Sequence, residues 1–464
     1  MSKLQLPIHS YAHLSKPVGV ERLVNALAEQ APTEGKGPVA LMRPPGIETF
    51  ASVGTGPGRG CCTWNSMLYV VSGRKLYAVP DSAEPIEIGT VEGLFPVTWA
   101  QNEDTLVICD RTGVAYTYDG TTFSEITDPD WENGVQCASL DNYILFRRGD
   151  TGQFFSSDIG DATSYDALYY ATAEGAPDKL NGLIVDHRQV VLAGPNSIEL
   201  WNNQGGTDFP FGRDANGFVE IGCANGWTLA KVDNSIYWLA SDLTVRRLEG
   251  LTPFRVSQHG VEQAISKYDN ISDAYGFGYT FAGHVYYVLQ FPSQNATWVF
   301  DATTREWHER RSDTFGRWRG CASTSAYGAT FIQDAKTGKV GYLDLETYTE
   351  FGEAMRFEAT FPSVYVDGKR VVHSLLQVMV EGGVGNADVL DPTMTLEKSD
   401  DSGMTWQTLA TRSLGLQSRF LTRVRWNRLG SARDRVYRIS NADPCKLVIA
   451  DAQVDVTEVS ADGN

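Results

Sequence analysis

The sequence predicts an all-β protein: a β-propeller of about seven blades, followed by a smaller β-sandwich-like domain. Three observations support this prediction. A strand–turn–strand pattern recurs along the chain with a period of about 40–50 residues, as propeller blades do. Aromatic residues make up 11% of the chain and glycines number 45, which suits many strands joined by tight turns. The pattern changes in roughly the last hundred residues, which indicates a second domain.

The repeat has seven recognisable copies. Their first apolar strands begin near Leu68, Leu106, Ile144, Val190, Ile236, Val285 and Thr330. A four-stranded blade cannot bury both of its faces alone, whereas a ring of blades buries them and leaves only short edges. Seven copies predict about seven blades, with six or eight also compatible. The rival arrangement is a row of β-sandwiches, but the regular period and the lack of proline-rich linkers favour the propeller.

The propeller is expected to occupy residues 51–352, between an N-terminal arm and linker (1–50) and a C-terminal domain (353–464). In the arm, Val20–Gln30 fits either a helix with one apolar face or an extended segment. Residues 33–38 have the composition of a linker. Six alternating segments after residue 352 predict the β-sandwich-like domain: 356–366, 374–380, 393–398, 419–426, 436–439 and 446–456.

The charge balance is acidic, with 39 Lys and Arg against 57 Asp and Glu and a formal net charge of −18. Sequence-independent DNA binding relies on neutralising phosphates, so this balance argues against a DNA clamp. The seven cysteines are scattered, no CxxC pair occurs, and the first residues lack a signal-peptide pattern. We therefore expect a protein that folds in a reducing cytoplasm and does not insert into a membrane.

No enzyme signature stands out. The GxSxG, HExxH and GxxxxGK[ST] motifs are absent, and the one histidine pair at ligand-like spacing, His9 and His13, lies near a terminus. The sequence therefore predicts no catalytic residue, no cofactor and no metal.

One local motif is well defined. Residues 399–406 read SDDSGMTW, which matches the SxDxGxTW Asp-box of sialidase propellers. The motif residues are Ser399, Asp401, Gly403, Thr405 and Trp406. The Asp carboxylate of such a hairpin accepts backbone N–H groups, and the glycine takes the left-handed conformation. Because the motif occurs once and outside the repeat, we interpret it as a structural turn. A sialidase-like or polysaccharide-degrading enzyme, and a glycan-binding host-recognition module, remain alternatives.

Two basic and aromatic stretches interrupt the acidic background. Arginine and tryptophan are favoured at the centres of protein interfaces. The competing interpretation is a solvated strand face with an aromatic anchor. The candidate interface residues are Trp307, Arg310, Arg311, Arg317, Trp318, Arg319, Arg423, Arg425, Trp426 and Arg428.

Several short motifs resemble one family. They are GHVYYVL (283–289), TWVFD (297–301), WHERRS (307–312), RPPGI (43–47), SIELW (197–201) and the closing pattern from RVRWNRLG to DRVYRI (423–439). Together they are similar to the packaged-DNA stabilisation, or tail accessory, proteins of short-tailed P22-like phages. The likeness spans most of the chain and is weakest in the N-terminal arm.

The resemblance implies a structural component of the virion tail that assembles in the host cytoplasm. Proteins of this kind form a homohexameric nozzle or hub ring below the portal and its adaptor. The ring extends the DNA channel, helps to retain the packaged genome, and holds the needle or plug and the tailspikes or fibres. DNA is expected to pass without specific binding, and no cofactor or catalysis is implied.

Overall fold

The computed structural model describes residues 2–13, 15–30, 37–173, 175, 178–206, 209–420 and 422–458. Six strands come first in the chain. They are β1 (Ser2–Leu4), β2 (Tyr11–Ala12), β3 (Val20–Val24), β4 (Leu27–Gln30), β5 (Val39–Met42) and β6 (Gly46–Ser52).

Four-stranded antiparallel units follow. Blade 1 contains β7 (Gly58–Trp64), β8 (Met67–Ser72), β9 (Lys75–Val79) and β10 (Ile86–Thr90). Blade 2 contains β11 (Thr98–Gln101), β12 (Leu106–Cys109), β13 (Ala115–Tyr118) and β14 (Phe123–Glu125). Blade 3 contains β15 (Gly134–Leu140), β16 (Tyr143–Arg148), β17 (Gln153–Asp158) and β18 (Asp161–Thr172). Blade 4 contains β19 (Gly182–Asp186), β20 (Gln189–Ala193), β21 (Ile198–Asn203) and β22 (Phe211–Val219).

The remaining units complete the series. Blade 5 contains β23 (Ala230–Val232), β24 (Ser235–Leu239), β25 (Val245–Glu249) and β26 (Thr252–Arg255), and it is followed by a helix, α1 (His259–Ile265). Blade 6 contains β27 (Tyr275–Phe281), β28 (His284–Phe291), β29 (Ala296–Asp301) and β30 (Glu306–Glu309). The last unit contains β31 (Gly320–Ala326), β32 (Ala329–Asp334) and β33 (Lys339–Asp344), and its fourth strand is β6 from the beginning of the chain.

Strand β6 closes the propeller. It pairs antiparallel with β33, with Glu48 opposite Tyr342, so the first and last parts of the repeat share one blade. A hydrogen bond of 3.0 Å between the hydroxyls of Thr63 on β7 and Thr324 on β31 joins blade 1 to this last blade. The prediction of an all-β propeller is therefore confirmed, and the described residues form seven four-stranded units in the ring.

Tight turns explain why the sequence folds into these hairpins. The first two strands of most blades are joined by two residues that both have positive φ, the arrangement of a type I′ turn, whose twist matches that of the flanking strands. Such pairs are Asn65-Ser66, Asp141-Asn142, His187-Arg188, Asp233-Asn234, Ala282-Gly283 and Tyr327-Gly328. Asn, Asp and Gly supply most of these positions because they tolerate the left-handed region.

Two short strands, β34 (Thr349–Glu350) and β35 (Glu353–Ala354), extend the sheet of the last blade, because β34 pairs with β6. The strands that follow form a β-sandwich. They are β36 (Phe357–Thr360), β37 (Val364–Tyr365), β38 (Val371–Val380), β39 (Thr393–Ser399), β40 (Gln407–Ser413), β41 (Val424–Asn427), β42 (Ser431–Ala432), β43 (Asp434–Asn441) and β44 (Val448–Glu458). One sheet has the order β4-β5-β44-β38-β41, and the other has the order β3-β36-β43-β39-β40. A shared core that includes Leu23, Leu41, Phe357, Trp426 and Tyr437 lies between the two sheets.

The N-terminal segment is part of the sandwich rather than a separate arm. Val20–Gln30 is not helical: it forms β3 and β4, joined at Asn25, which has positive φ. Leu23 lies opposite Ala359 of β36. Its side chain is fully buried because β3 covers part of the sandwich core. Of the expected linker, residues 33–36 lie outside the described residues.

Candidate functional site

The tryptophans of the first basic and aromatic stretch lie in the protein interior. Trp307 on β30 is fully buried, and its indole Nε1 donates to the carbonyl of Val256 at 2.8 Å. Trp318 is also fully buried, and its Nε1 donates to Oε1 of Glu350 at 2.8 Å. Both residues therefore anchor blade packing and offer no surface to a partner.

Glu350 gathers three donors where blade 6, the last blade and the sandwich meet. Besides the indole of Trp318, its carboxylate accepts Nη2 of Arg310 at 2.9 Å and the hydroxyl of Ser312. The guanidinium of Arg310 also stacks over the Trp318 ring, with Cζ 4.6 Å from the ring centroid. The carboxylate and guanidinium are both buried, so this is an internal ion pair.

Arg319 forms a second buried ion pair beside the first. Its Nε and Nη2 contact the two carboxylate oxygens of Asp334 at 3.0 and 2.5 Å. Its Nη1 lies 3.1 Å from Glu353, which also accepts bonds from Thr314 and Lys336. The hydrogen bond from Thr314, with the nearby cations, lowers the pKa of Glu353 to about 2.

The second stretch is divided between the core and the surface. Trp426 on β41 is buried, and its Nε1 donates to the carbonyl of Ala410 at 2.9 Å. Arg425 is half-buried, and its Nε donates to Oε1 of Gln377 at 2.6 Å. Arg423 precedes the strand and Arg428 follows it; both side chains are exposed.

The interface prediction is therefore corrected for the buried members, which are Trp307, Arg310, Trp318, Arg319 and Trp426. Strand alternation identifies neither the buried carboxylates that pair with these arginines nor the blades that cover these rings. Arg317 is half-buried and donates to Gln290 and, at 3.3 Å, to Tyr275. Arg311 is exposed, as are Arg423 and Arg428, so the interface prediction remains open for these residues.

The Asp-box forms the hairpin between β39 and β40. Asp401 accepts the backbone N–H of Met404 at 2.9 Å and the hydroxyl of Thr405 at 2.5 Å. It also accepts the hydroxyl of Ser399 at 2.6 Å, and these bonds hold the pKa of Asp401 well below its usual value. Gly403 has φ +83°, and the Arg438 guanidinium stacks on Trp406 at 4.1 Å. The carboxylate is fully used within the turn.

A small cavity of about 210 Å³ lies at the propeller axis, on the face where the inner strands begin. Arg111, which follows the second strand of blade 2, crosses this opening. Its guanidinium stacks on the aromatic ring of Phe95 and also on that of Trp227, which precedes blade 5 on the opposite side of the propeller. Its Nη1 donates to the carbonyl of Ser272 at 3.2 Å. Burial lowers the pKa of Arg111. The propeller axis is therefore closed at this face by a side chain.

Arg59 holds the neighbouring loop. It pairs with buried Asp110 at 2.7 Å and donates to the carbonyls of Val91 and Phe95 at 2.8 and 2.7 Å. Sequence reasoning missed both Arg59 and Arg111 because each stands alone in its segment.

In the described part of the chain, no three His, Cys, Asp or Glu residues could together hold a metal ion. No helix there is long and apolar enough to cross a membrane.

Comparison with solved structures finds matches of low sequence identity, each with a TM-score below 0.5. A streptogramin B lyase structure has 10% identity and a TM-score of 0.45, covering 64% of this chain and 97% of that one. BamB from Moraxella catarrhalis has 12% identity and a TM-score of 0.39, covering 74% and 100%. The extracellular domain of the putative one-component system BT4673 from B. thetaiotaomicron has 10% identity and a TM-score of 0.44, covering 94% and 61%.

Family models are more informative. No curated protein sequence matches the chain. Residues 20–348 match the model of the β-propeller of bacteriophage P22 Gp10, and residues 356–457 match the model of its β-sandwich. The resemblance found in the sequence is thus confirmed for both domains, in the same order. The chain belongs to the bacteriophage P22 Gp10 family of phage structural proteins.

Proposed function

We propose that this protein is a tail hub or nozzle subunit with no enzymatic role. In this proposal, six copies form a ring below the portal and its adaptor, extend the DNA channel and help to retain the packaged genome. The ring also carries the needle or plug and the tailspikes or fibres. The observation that supports it is the match of both domains to one phage structural family.

The way the two domains are joined suits a rigid wall. Asn25 donates from Nδ2 to the carbonyls of Arg311 and Arg356, at 2.7 and 2.8 Å, and so links the end of blade 6 to the start of the sandwich. Arg22 forms a two-point pair with Glu309, both distances being 2.7 Å. A hydrogen-bonded, partly buried junction of this kind resists bending between the domains.

The DNA path lies between copies in this proposal. Arg111 closes one face of the propeller axis by reaching from blade 2 to Trp227 before blade 5, so the axis cannot serve as a channel for a duplex. The chain carries a formal charge of −18. A channel surrounded by such copies would repel phosphates and let DNA move through it without sticking.

The Asp-box gives the enzyme and glycan-binding alternatives no support. Those functions would need a carboxylate or aromatic side chain available to a sugar. Asp401 is saturated by its own hairpin, and the Trp406 ring is stacked by Arg438.

Electron microscopy of the phage particle that contains this chain tests the proposal. We expect six copies around a channel, between the portal-adaptor assembly and the distal tail. Isolated single copies on the particle surface, or glycosidase turnover by the purified chain, would contradict it. A neutral or basic surface along the channel would contradict only the proposal that negative charge repels the DNA phosphates.

A further inference from the structure

The sandwich carries a basic surface that the chain does not neutralise. Between Ser402 and Arg438 the sequence has eight arginines and a single acidic residue, Asp434, a formal charge of +7 within a chain of −18. Arg435 and Arg438 are paired with Asp400 and Glu397. The exposed arginines of this segment, here called the arginine edge, are Arg412, Arg419, Arg423, Arg428 and Arg433.

The arginine edge follows the open side of the sandwich. It lies on or beside β40, β41 and β42, of which β40 and β41 are the last strands of their sheets. Within the described residues none of its five arginines has an acidic partner; Arg412 and Arg433 donate only to backbone carbonyls. Phe420, 73% exposed, and Leu416 lie in the same segment. Unpaired arginines beside exposed apolar side chains are typical of a protein interface.

A complementary surface lies on the propeller. Residues 81–132 contain twelve Asp and Glu and one basic residue, Arg111, a formal charge of −11. The exposed acidic residues of this segment, here called the acidic flank, are Asp81, Glu84, Glu87, Glu92, Glu103, Asp104, Asp119, Glu125 and Asp130. Among the described contacts only Glu87 and Glu92 have basic partners, Lys75 and Arg74. Ile86 and Leu94, 58% and 66% exposed, supply apolar area here.

We propose that the arginine edge of one copy docks on the acidic flank of the next copy. This inference rests on the proposed ring function and names the contact that builds the ring. The two surfaces lie on different domains, and no described hydrogen bond or ion pair joins them within one copy. Contact between two different patches is head-to-tail, and a head-to-tail contact closes into a ring when its rotation permits. Opposite charges also orient the approaching copies.

A second copy explains the arginine edge better than DNA does. Phosphates pair with arginine but leave Phe420 and Leu416 in water, whereas a protein surface with Ile86 and Leu94 covers them. The total charge of −18 also opposes the long-range attraction that drives non-specific DNA binding.

Reciprocal charge reversal tests this contact. Arg419→Glu/Arg423→Glu reverses the edge at two side chains that make no described hydrogen bond or ion pair. Glu84→Arg/Glu103→Arg reverses the flank at two exposed side chains that are equally free of described partners. Lys179→Glu/Lys267→Glu has the same change in net charge as the edge variant but lies elsewhere, and serves as the matched control.

Each variant is examined by sedimentation velocity at equal concentration and low salt, with circular dichroism to confirm folding. We expect wild type and the lysine control to assemble, and each reversed variant alone to stay monomeric. An equimolar mixture of the two reversed variants should recover assembly, because edge and flank are then complementary at every contact of an alternating ring. Raised salt should dissociate the wild-type ring.

The outcomes separate the inference from the proposed function. Wild-type rings that survive both reversals, or a mixture that stays monomeric, would overturn the contact while leaving the hub function intact. Wild type that neither assembles in solution nor forms rings on the particle would overturn the function as well. If wild type binds a DNA duplex in fluorescence anisotropy and the edge variant loses that binding, the arginine edge is a nucleic-acid site and the proposal is wrong.

Discussion

Glu350 shows how one residue can decide the packing of several elements. Glu350 comes after the last strand of the repeat in sequence. Its carboxylate nevertheless bonds Trp318, Arg310 and Ser312, which lie between β30 and β31, and holds them in position. Removing one member of a buried ion pair leaves the other charge uncompensated, which costs more than the pair contributes over an apolar replacement. Glu350 is therefore a more sensitive position than any exposed acid of the chain.

Glu350→Ala should lower the free energy of unfolding by about 3–5 kcal/mol, because Arg310 is left buried without its partner. The measurement is equilibrium denaturation in guanidinium chloride, followed by tryptophan fluorescence. Glu220→Ala on the exposed surface is the control and should change little. Equal midpoints for the two variants would show that the ion pair is not what holds this junction.

Two buried histidines make stability depend on pH. Burial, with the nearby Arg310, lowers the pKa of His308 to about 3, and burial, with Arg435, lowers the pKa of His373 to about 4. The unfolded chain, with histidine pKa values near 6.5, binds these protons more readily. Stability is therefore lost as the pH falls below about 6.5, by up to about 1.4 kcal/mol per pH unit for each histidine.

His308→Gln should reduce this loss, because one of the two histidines no longer takes up a proton on unfolding. The slope of unfolding free energy against pH, measured in urea between about pH 6.5 and 5, should be shallower than in wild type. His187→Gln makes the same substitution at an exposed turn and is the comparison variant. An unaltered slope in His308→Gln would contradict the assignment.

At the scale of elements, β6 is the strand on which closure of the propeller depends. It precedes the first blade in sequence but belongs to the last blade. It supplies the outer strand of the last blade by pairing with β33. Ile47 on this strand is fully buried in the cluster that contains Trp318, Ile332 and Leu343. The closure thus depends on side-chain packing as well as on backbone hydrogen bonds.

Ile47→Ala should destabilise the protein by about 2–5 kcal/mol, through lost apolar burial and the cavity left behind. Glu48→Ala, the next residue on the same strand but exposed, is the control. Thermal unfolding followed by circular dichroism measures both. If the two variants melt together, Ile47 contributes nothing special to closure of the ring.

For the whole molecule, the sandwich depends on strands that precede the propeller in sequence. Leu4, Leu23 and Leu41 are buried in its core, although the sandwich match begins only at residue 356. The propeller is therefore inserted between two parts of the sandwich. This arrangement brings strands from both sides of the propeller in sequence into one domain and couples the folding of the two domains.

A fragment of residues 353–464 should consequently fail to unfold cooperatively, because β3, β4 and β5 are missing and their core partners are exposed. A fusion of residues 1–45 to 353–464 through a flexible linker should recover a cooperative urea transition. Circular dichroism and tryptophan fluorescence measure both fragments. A cooperative transition of the short fragment at the midpoint of the fusion would show that the N-terminal strands are dispensable.

The local pattern of the sequence was enough to predict the propeller, the sandwich and the Asp-box turn. Each of these depends on residues close together in the chain: strand alternation, left-handed turn residues, and the carboxylate of Asp401 bonded to the next few amides. Such interactions leave a regular trace at short sequence separation. The family motifs have the same local character.

The long-range partnerships were decided only by the tertiary structure. Arg310 and Arg319 look like surface residues until Glu350 and Asp334 are found beside them in the interior. The sequence allowed a helix at Val20–Gln30, and only the pairing of β3 with β36 shows that the segment is extended. Nothing near Arg111 in the sequence indicates its contact with Trp227 across the propeller axis. The sequence by itself therefore determined most of the strands and turns, because their formation depends on neighbours along the chain. Which side chains remain free to meet a partner depends on contacts between distant residues, and these exist only once the ring and the sandwich have closed.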